Sequence, residues 1–184
     1  DYAASRGEYM NGILLSRYLG WDFIDAQDVV KFDRQGNFAS EWTNEIMAEA
    51  LKLHEHAVIP GFYGAYPNGD VHTFSRGGND ISGAIVARAA KAELYVNWTD
   101  VSGFLMADPR IVEDPQAIPE VTYNELRELS YSGAQVLHEG TIFPVREKNI
   151  PLNIRNTNAP EDAGTMIKES FDTPADPDRF ITGI

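Results

Sequence analysis

The sequence predicts an α/β protein, and the stretch over residues 73–110 carries most of that prediction. It reads T-F-S-R-G-G-N-D, an Ala-rich helical run, E-L-Y-V-N-W-T-D-V-S-G and A-D-P-R. That is loop, helix, strand, loop, the repeating unit of an α/β sheet. The run over 81–92 is apolar on most sides, as expected of a helix packed closely on a sheet. The strand that follows, over 93–98, has Leu94, Val96 and Trp98 alternating with other residues. The loop before the helix places Arg76, Gly77 and Gly78 where a helix start offers its unpaired N–H groups, which suits an anionic ligand. The two glycines admit close backbone approach, and Arg76 can grip a carboxylate or phosphate with two parallel bonds. The second loop begins at the carboxyl end of the strand, where ligands of open α/β sheets sit, so both loops are expected to face one crevice.

The other elements follow in order. Apolar residues at Ile13, Leu14, Tyr18 and Leu19, with Gly20 as a stop, predict a helix over 5–19. Ser5 and Glu8 have the spacing of a capping box at its start. Residues 23–32 read as extended. Ser40 is expected to cap a helix with Ile46, Met47, Ala50, Leu51 and His54 on one face. His54 and His56 are not read as a metal site, because no third ligand is near and residues two apart diverge on a helix. Residues 57–61 read as a short buried strand, and Asn68 with Gly69 predicts a hairpin from near Gly64 to near Val71. Asn79 or Asp80 is a candidate N-cap for the Ala-rich helix, and Asp100 is placed to close an Asx-turn after its strand. Thr122 and Glu125 form a second capping box, opening a helix through Leu129, and 142–148 continues helical. His138 is expected to pack at a helix end. Residues 151–155 read as a strand with Leu152 and Ile154 inward, and the Pro-, Asp- and Thr-rich stretch 158–178 as a linker.

Composition bounds the function. The chain has 184 residues, 43% of them hydrophobic, enough for one domain with a real core. A formal charge of −13 argues against a nucleic-acid partner. A phosphate-bearing substrate would need local cations against that field, for which Arg76 and Arg110 are candidates. The absence of cysteine excludes disulfides and thiolate-bound metal and is compatible with the cytosol. No run approaches transmembrane length and no signal-peptide pattern opens the chain, so no membrane partner is expected. The start, without Met in the lead-in to a helix, is expected to be that of a fragment.

S-R-G-E at Ser5, S-R-G-G-N-D-I-S-G-A, W-T-D-V-S-G, A-D-P-R and N-I-R-N-T, in this order and spacing, resemble the catalytic domain of the aspartokinases, within the amino-acid kinase family. The resemblance implies a three-layer α/β/α sandwich that lacks its beginning. It implies a catalytic domain over 1–157, then a linker and the first strand of a regulatory ACT domain over 158–184. The implied reaction moves the γ-phosphoryl group of ATP, with Mg²⁺, onto the side-chain carboxylate of L-aspartate to give 4-phospho-L-aspartate, the first step of Lys, Thr and Met biosynthesis. A cytoplasmic, homo-oligomeric full-length protein is expected.

By the same resemblance, Glu8, Arg76, Gly77, Gly78, Asn79 and Asp80 form the aspartate site, with Glu8 meeting the ammonium, Arg76 a carboxylate and Asp80 orienting the substrate as the catalytic candidate. Gly61 and Gly64 correspond to the glycine loop near the phosphates, and tight turns alone account for them equally well. Thr99, Asp100, Arg110 and Gln135 fall on the nucleotide side. Two departures stand out: Gln135 replaces a lysine and Leu105 a tyrosine. The family's K-F-G-G-T-S segment, with its main transition-state cation, is not in this sequence, so the chain alone is expected to bind poorly and catalyse almost nothing. The alternatives are another amino-acid kinase, for N-acetylglutamate, glutamate, UMP or carbamate, or a non-catalytic relative acting as a binding or regulatory module.

Overall fold

The computed structural model describes residues 1–75, 77–107, 110–113, 115–131, 137 and 139–171. They divide into two compact units, residues 1–91 and 92–184.

In the first unit α1 (Tyr2–Leu19) ends where Gly20 takes the left-handed conformation, φ 69°, and its N–H returns to the Ser16 carbonyl. The strand β1 (Asp22–Phe23) pairs in parallel with β2 (Ala57–Val58), which is shorter than the sequence predicts. Between them the expected extended run 23–32 instead contains the single-turn helix α2 (Ala26–Val29). Asp25 supplies its cap by accepting from the Gln27 N–H at 3.0 Å. In α3 (Ser40–Leu51) Ser40 is the first helical residue and not the cap, because its hydroxyl accepts from the buried Arg88 at 2.6 Å. The hairpin of β3 (Tyr63–Ala65) and β4 (Val71–Thr73) forms as expected, with Ala65 opposite Val71 and Gly69 at φ 89°. The helix α4 (Gly78–Ala90) starts three residues before the predicted position. Ile24, Val29, Val30, Phe32, Met47, Tyr63, Ile85 and Ala89 meet in one core.

The second unit is built on a four-stranded sheet in the order β5 (Tyr95–Thr99), β9 (Leu152–Asn156), β10 (Thr165–Lys168), β8 (Glu120–Thr122). β5 runs parallel to β9, β10 antiparallel to β9, and β8 parallel to β10. A separate antiparallel pair is made by β6 (Phe104–Leu105) and β7 (Ala117–Ile118). The capping box at the start of α5 (Tyr123–Tyr131) forms in both directions: Glu125 N–H donates to the Thr122 hydroxyl at 3.2 Å, and Thr122 N–H to the Glu125 carboxylate at 2.7 Å. α6 (Glu139–Arg146) follows. Leu152 and Ile154 are fully buried, as predicted. Tyr123 is buried too, its hydroxyl donating to the Ile150 carbonyl at 2.6 Å, and burial pushes the phenol up to about 12.

The stretch read as a linker contains β10, which sits between β9 and β8. Period-2 burial of Thr165 and Ile167 is the strand signal that the flanking prolines and acids outweighed. Thr165 is fully buried, and its hydroxyl donates to the Ile118 carbonyl at 2.6 Å while accepting from the Phe104 N–H at 2.8 Å. It therefore joins β10 to both strands of the β6–β7 pair. Thr165→Val keeps the shape and removes both bonds. Losing two buried hydrogen bonds worth about 0.5–1.5 kcal/mol each should destabilise the protein by about 1–3 kcal/mol. A urea unfolding midpoint equal to that of the unsubstituted protein would contradict this.

Candidate functional site

The expected acceptor residues of the first unit lie on α1 and at the start of α4. The helix α1 begins three residues before Ser5, carried upstream by Ala3 and Ala4, which are strong helix formers. Ser5 is therefore inside the helix and buried, its hydroxyl donating to the Tyr2 carbonyl at 2.8 Å and accepting from Arg6 Nη2 at 2.9 Å. The expected Ser5–Glu8 capping box does not form, which leaves half-buried Glu8 without a capping role. The Arg6 guanidinium lies 4.4 Å from the ring centres of both Tyr2 and Tyr9 and 5.5 Å from that of Tyr63. Tyr63 is fully buried and donates its hydroxyl to Asp25 at 2.8 Å. Burial first, and then that carboxylate, hold its phenol far above the ordinary value.

At α4 the N-cap is Gly77, left-handed at φ 58° and ψ 27°, so Asn79 and Asp80 stand within the first turn rather than at the N-cap position. An acid in that turn is favoured by the helix dipole. The turn is fastened to the residues just before β3. Phe62 N–H donates to the Gly78 carbonyl at 3.3 Å and to the Ser82 hydroxyl at 3.0 Å, and Ser82 donates to the Gly78 carbonyl at 2.6 Å. A Cβ on Gly78 would stand 2.8 Å from the Phe62 ring and 3.0 Å from its Cα; one on Gly61 would stand 2.7 Å from the Asn79 side-chain oxygen. The structure thus brings the G-F-Y-G and S-R-G-G-N-D segments together. Gly64 is buried in β3, where a side chain would run into the Val30 backbone, so packing accounts for that glycine. Arg76 lies outside the described residues.

In the second unit Thr99 ends β5 and its hydroxyl donates to Asp100 at 3.2 Å, with Asp100 exposed. The Thr99 carbonyl accepts twice from Thr157, from its N–H at 2.8 Å and its hydroxyl at 3.0 Å. Leu105 lies in β6 opposite Ala117, and Arg110 is exposed in a later turn. Gln135 and His138 lie outside the described residues. His54 and His56 are engaged elsewhere, His54 with Asp22 at 2.8 Å and His56 against the Trp21 ring at 5.0 Å. Sequence reasoning missed Asp162 and Thr165, both in the presumed linker, and gave Thr157 no role beyond its place in the N-I-R-N-T motif.

Residues 1–156 match the family described as the amino acid kinase family. The chain belongs to the amino acid kinase family. Aspartokinase 3 of Bacillus subtilis (strain 168) is 36% identical over 185 residues, covering 96% of this chain and 41% of the relative. The crystal structure of Clostridium acetobutylicum aspartate kinase aligns with a TM-score of 0.87 and 55% identity, over 95% of this chain and 39% of that one. E. coli aspartokinase III in complex with aspartate and ADP, in its R-state, aligns with a TM-score of 0.81 and 27% identity, over 92% of this chain and 40% of that one. This amino acid kinase chain therefore spans about two fifths of the length of the relatives it matches. The mixed α/β fold is that of the aspartate kinases.

The contact between Gly78 and Phe62 gives a direct test of the geometry at the start of α4. In an ordinary helix, Gly→Ala gains about 1 kcal/mol. Here the new methyl group collides with Phe62, and overpacking costs about 1–3 kcal/mol. Gly78→Ala is expected to be net destabilising by about 1–2 kcal/mol in denaturant unfolding, and a stabilised variant would show that the two segments do not touch.

Proposed function

We propose that this chain forms part of the catalytic domain of an aspartate kinase, which transfers the γ-phosphoryl group of ATP to the side-chain carboxylate of L-aspartate. The observation that carries the reading is the start of α4, where a left-handed Gly77 and a buried Gly78 open the helix around Asn79 and Asp80. The similarity to aspartate kinases, one of them in complex with aspartate and ADP, supports it.

The reaction brings two anions together, so the site must supply positive potential and orientation. The first turn of α4 supplies N–H groups and the positive end of its dipole to the acceptor. Arg76 takes a carboxylate of aspartate and Glu8 its ammonium group, leaving the side-chain carboxylate as nucleophile. An oxygen of that carboxylate attacks the γ-phosphorus as the bond to the ADP oxygen breaks, so the products are an acyl phosphate and ADP. No proton has to leave the nucleophile, and no general base is required. Asp80 orients the acceptor.

On the nucleotide side, Thr99 and exposed Asp100 contact the nucleotide, and Arg110 and Gln135 are the candidates for its phosphates. Among the described residues no three His, Asp or Glu side chains are grouped to hold a metal ion. Mg²⁺, which the resemblance implies, would neutralise charge on the ATP phosphates. We further propose that the full-length protein is a cytoplasmic homo-oligomer serving lysine, threonine and methionine biosynthesis. Residues 1–157 belong to its catalytic domain, β10 joins β9 to β8 within the same sheet, and residues 180–184 begin an ACT domain. A second reading, a non-catalytic relative, draws on Gln135 and Leu105 in place of the family's lysine and tyrosine.

The full-length gene product, assayed for ADP release with L-aspartate, N-acetylglutamate, glutamate, UMP and carbamate as acceptors, separates these readings. ADP release should depend on L-aspartate; release with another acceptor, or with none, sinks the proposal. In the same protein Glu8→Gln should raise the aspartate KM at least about ten-fold, the worth of one charge-assisted bond, and leave the ATP KM and the melting temperature unchanged. A drop in melting temperature alone would assign Glu8 to the helix and not to the substrate.

A further inference from the structure

The loop after β5 is held from a side that the family match does not include. Arg155 lies over the Trp98 ring, 5.1 Å from its centre, and gives its guanidinium to the carbonyls of Pro160 at 2.5 Å and Asp162 at 3.0 Å. This folds residues 156–162 back over the end of β5. There Thr157 takes the Thr99 carbonyl with two donors. Asn156 Nδ2 donates to the Ser102 hydroxyl oxygen at 3.0 Å, and Ser102 donates its one proton to Asp162 Oδ2 at 2.6 Å. Gly103, at φ 96°, packs against Thr165, which also receives the Phe104 N–H. Each end of the 99–104 segment is thus fixed by residues beyond 156, where the family match stops.

We propose that Asp162 is a positioning residue for nucleotide binding: by accepting the Ser102 hydroxyl it holds the loop that carries Thr99 and Asp100 in its binding geometry. The inference rests on the reading that Thr99 and Asp100 contact the nucleotide, and adds a residue that touches neither nucleotide nor acceptor. The chemistry restricts the choice of partner. With Asn156 donating into its oxygen, Ser102 needs an acceptor for its proton, and a carboxylate or an amide oxygen at position 162 serves where an aliphatic side chain cannot. The bond is short, and one partner is charged, which places it among the stronger hydrogen bonds. Exposure of Asp162 moderates its worth. Loosening the loop raises the cost of ordering it when nucleotide binds, and that cost appears as lost affinity.

The test uses the full-length protein, with ADP as the probe in isothermal titration and steady-state kinetics alongside. Asp162→Ala should weaken ADP about five- to ten-fold and raise the ATP KM equally, with the aspartate KM and the melting temperature unchanged. Asp162→Asn, which keeps an acceptor oxygen, should restore most of the affinity. Ser102→Ala should match Asp162→Ala, and the double variant should be no worse than either, because both remove one interaction. An unchanged ADP affinity in Asp162→Ala, or a loss that Asn fails to rescue, overturns the proposal. Asp100→Ala distinguishes the two levels. If it weakens ADP while Asp162→Ala does not, only the positioning role falls; if it leaves ADP affinity unchanged, the nucleotide reading falls and the inference with it.

Discussion

The first unit depends on a contact that no side chain could occupy. Gly61 and Gly78 come from segments seventeen positions apart, and their backbones lie closer than a Cβ on either permits. Ser82 serves both segments with one hydroxyl, accepting from Phe62 N–H and donating to the Gly78 carbonyl. Phe62 itself is held at φ 79°, a conformation rare for a bulky residue, and its two backbone groups reach Gly78 and Phe74. Strain of this kind costs about 1–3 kcal/mol and persists only where surrounding bonds over-determine it. It buys a helix start whose N–H groups are aimed by its neighbours rather than by a flexible loop.

How much of this is legible in the sequence depends on whether the deciding neighbour is local. The turn at Asn68 and Gly69, the stop at Gly20 and the box at Thr122 are settled by residues a few positions apart, and each forms as read. Ser5 and Glu8 have the same spacing as Thr122 and Glu125 and yet no box forms. A serine caps only where the chain before it leaves the helix, and Tyr2, Ala3 and Ala4 continue it. Ser40 is lost as a cap to Arg88, whose guanidinium arrives from another helix. Position along the chain gives no hint of such a competitor.

The candidate site divides in the same way. Motifs single out Glu8, Asp80, Thr99 and Asp100 as candidates by their order and spacing, which survive any error in element boundaries. The residues packed around those positions are chosen by the fold, and Asp162 and Thr165 carry no motif. Both lie among prolines and acids that resemble a tether, although Thr165 is as buried as any core leucine. Composition describes what a segment offers to water. It does not register a hydroxyl that two separate strands both need.

The position of β10 also governs when the second unit can assemble. β8 has no other strand partner among the described residues, and β9 and β8 meet only through β10. During synthesis β5, β8 and β9 therefore leave the ribosome before the strand that joins them, and the sheet closes only after residue 168 has emerged. Pairing β8 with β10 closes a loop of more than forty residues, the kind of non-local contact that slows folding. Among the described residues, the strands of the first unit end at residue 73. Until β10 has emerged, the nascent second unit exposes unpaired strand edges, which is the interval in which such edges recruit chaperones or one another.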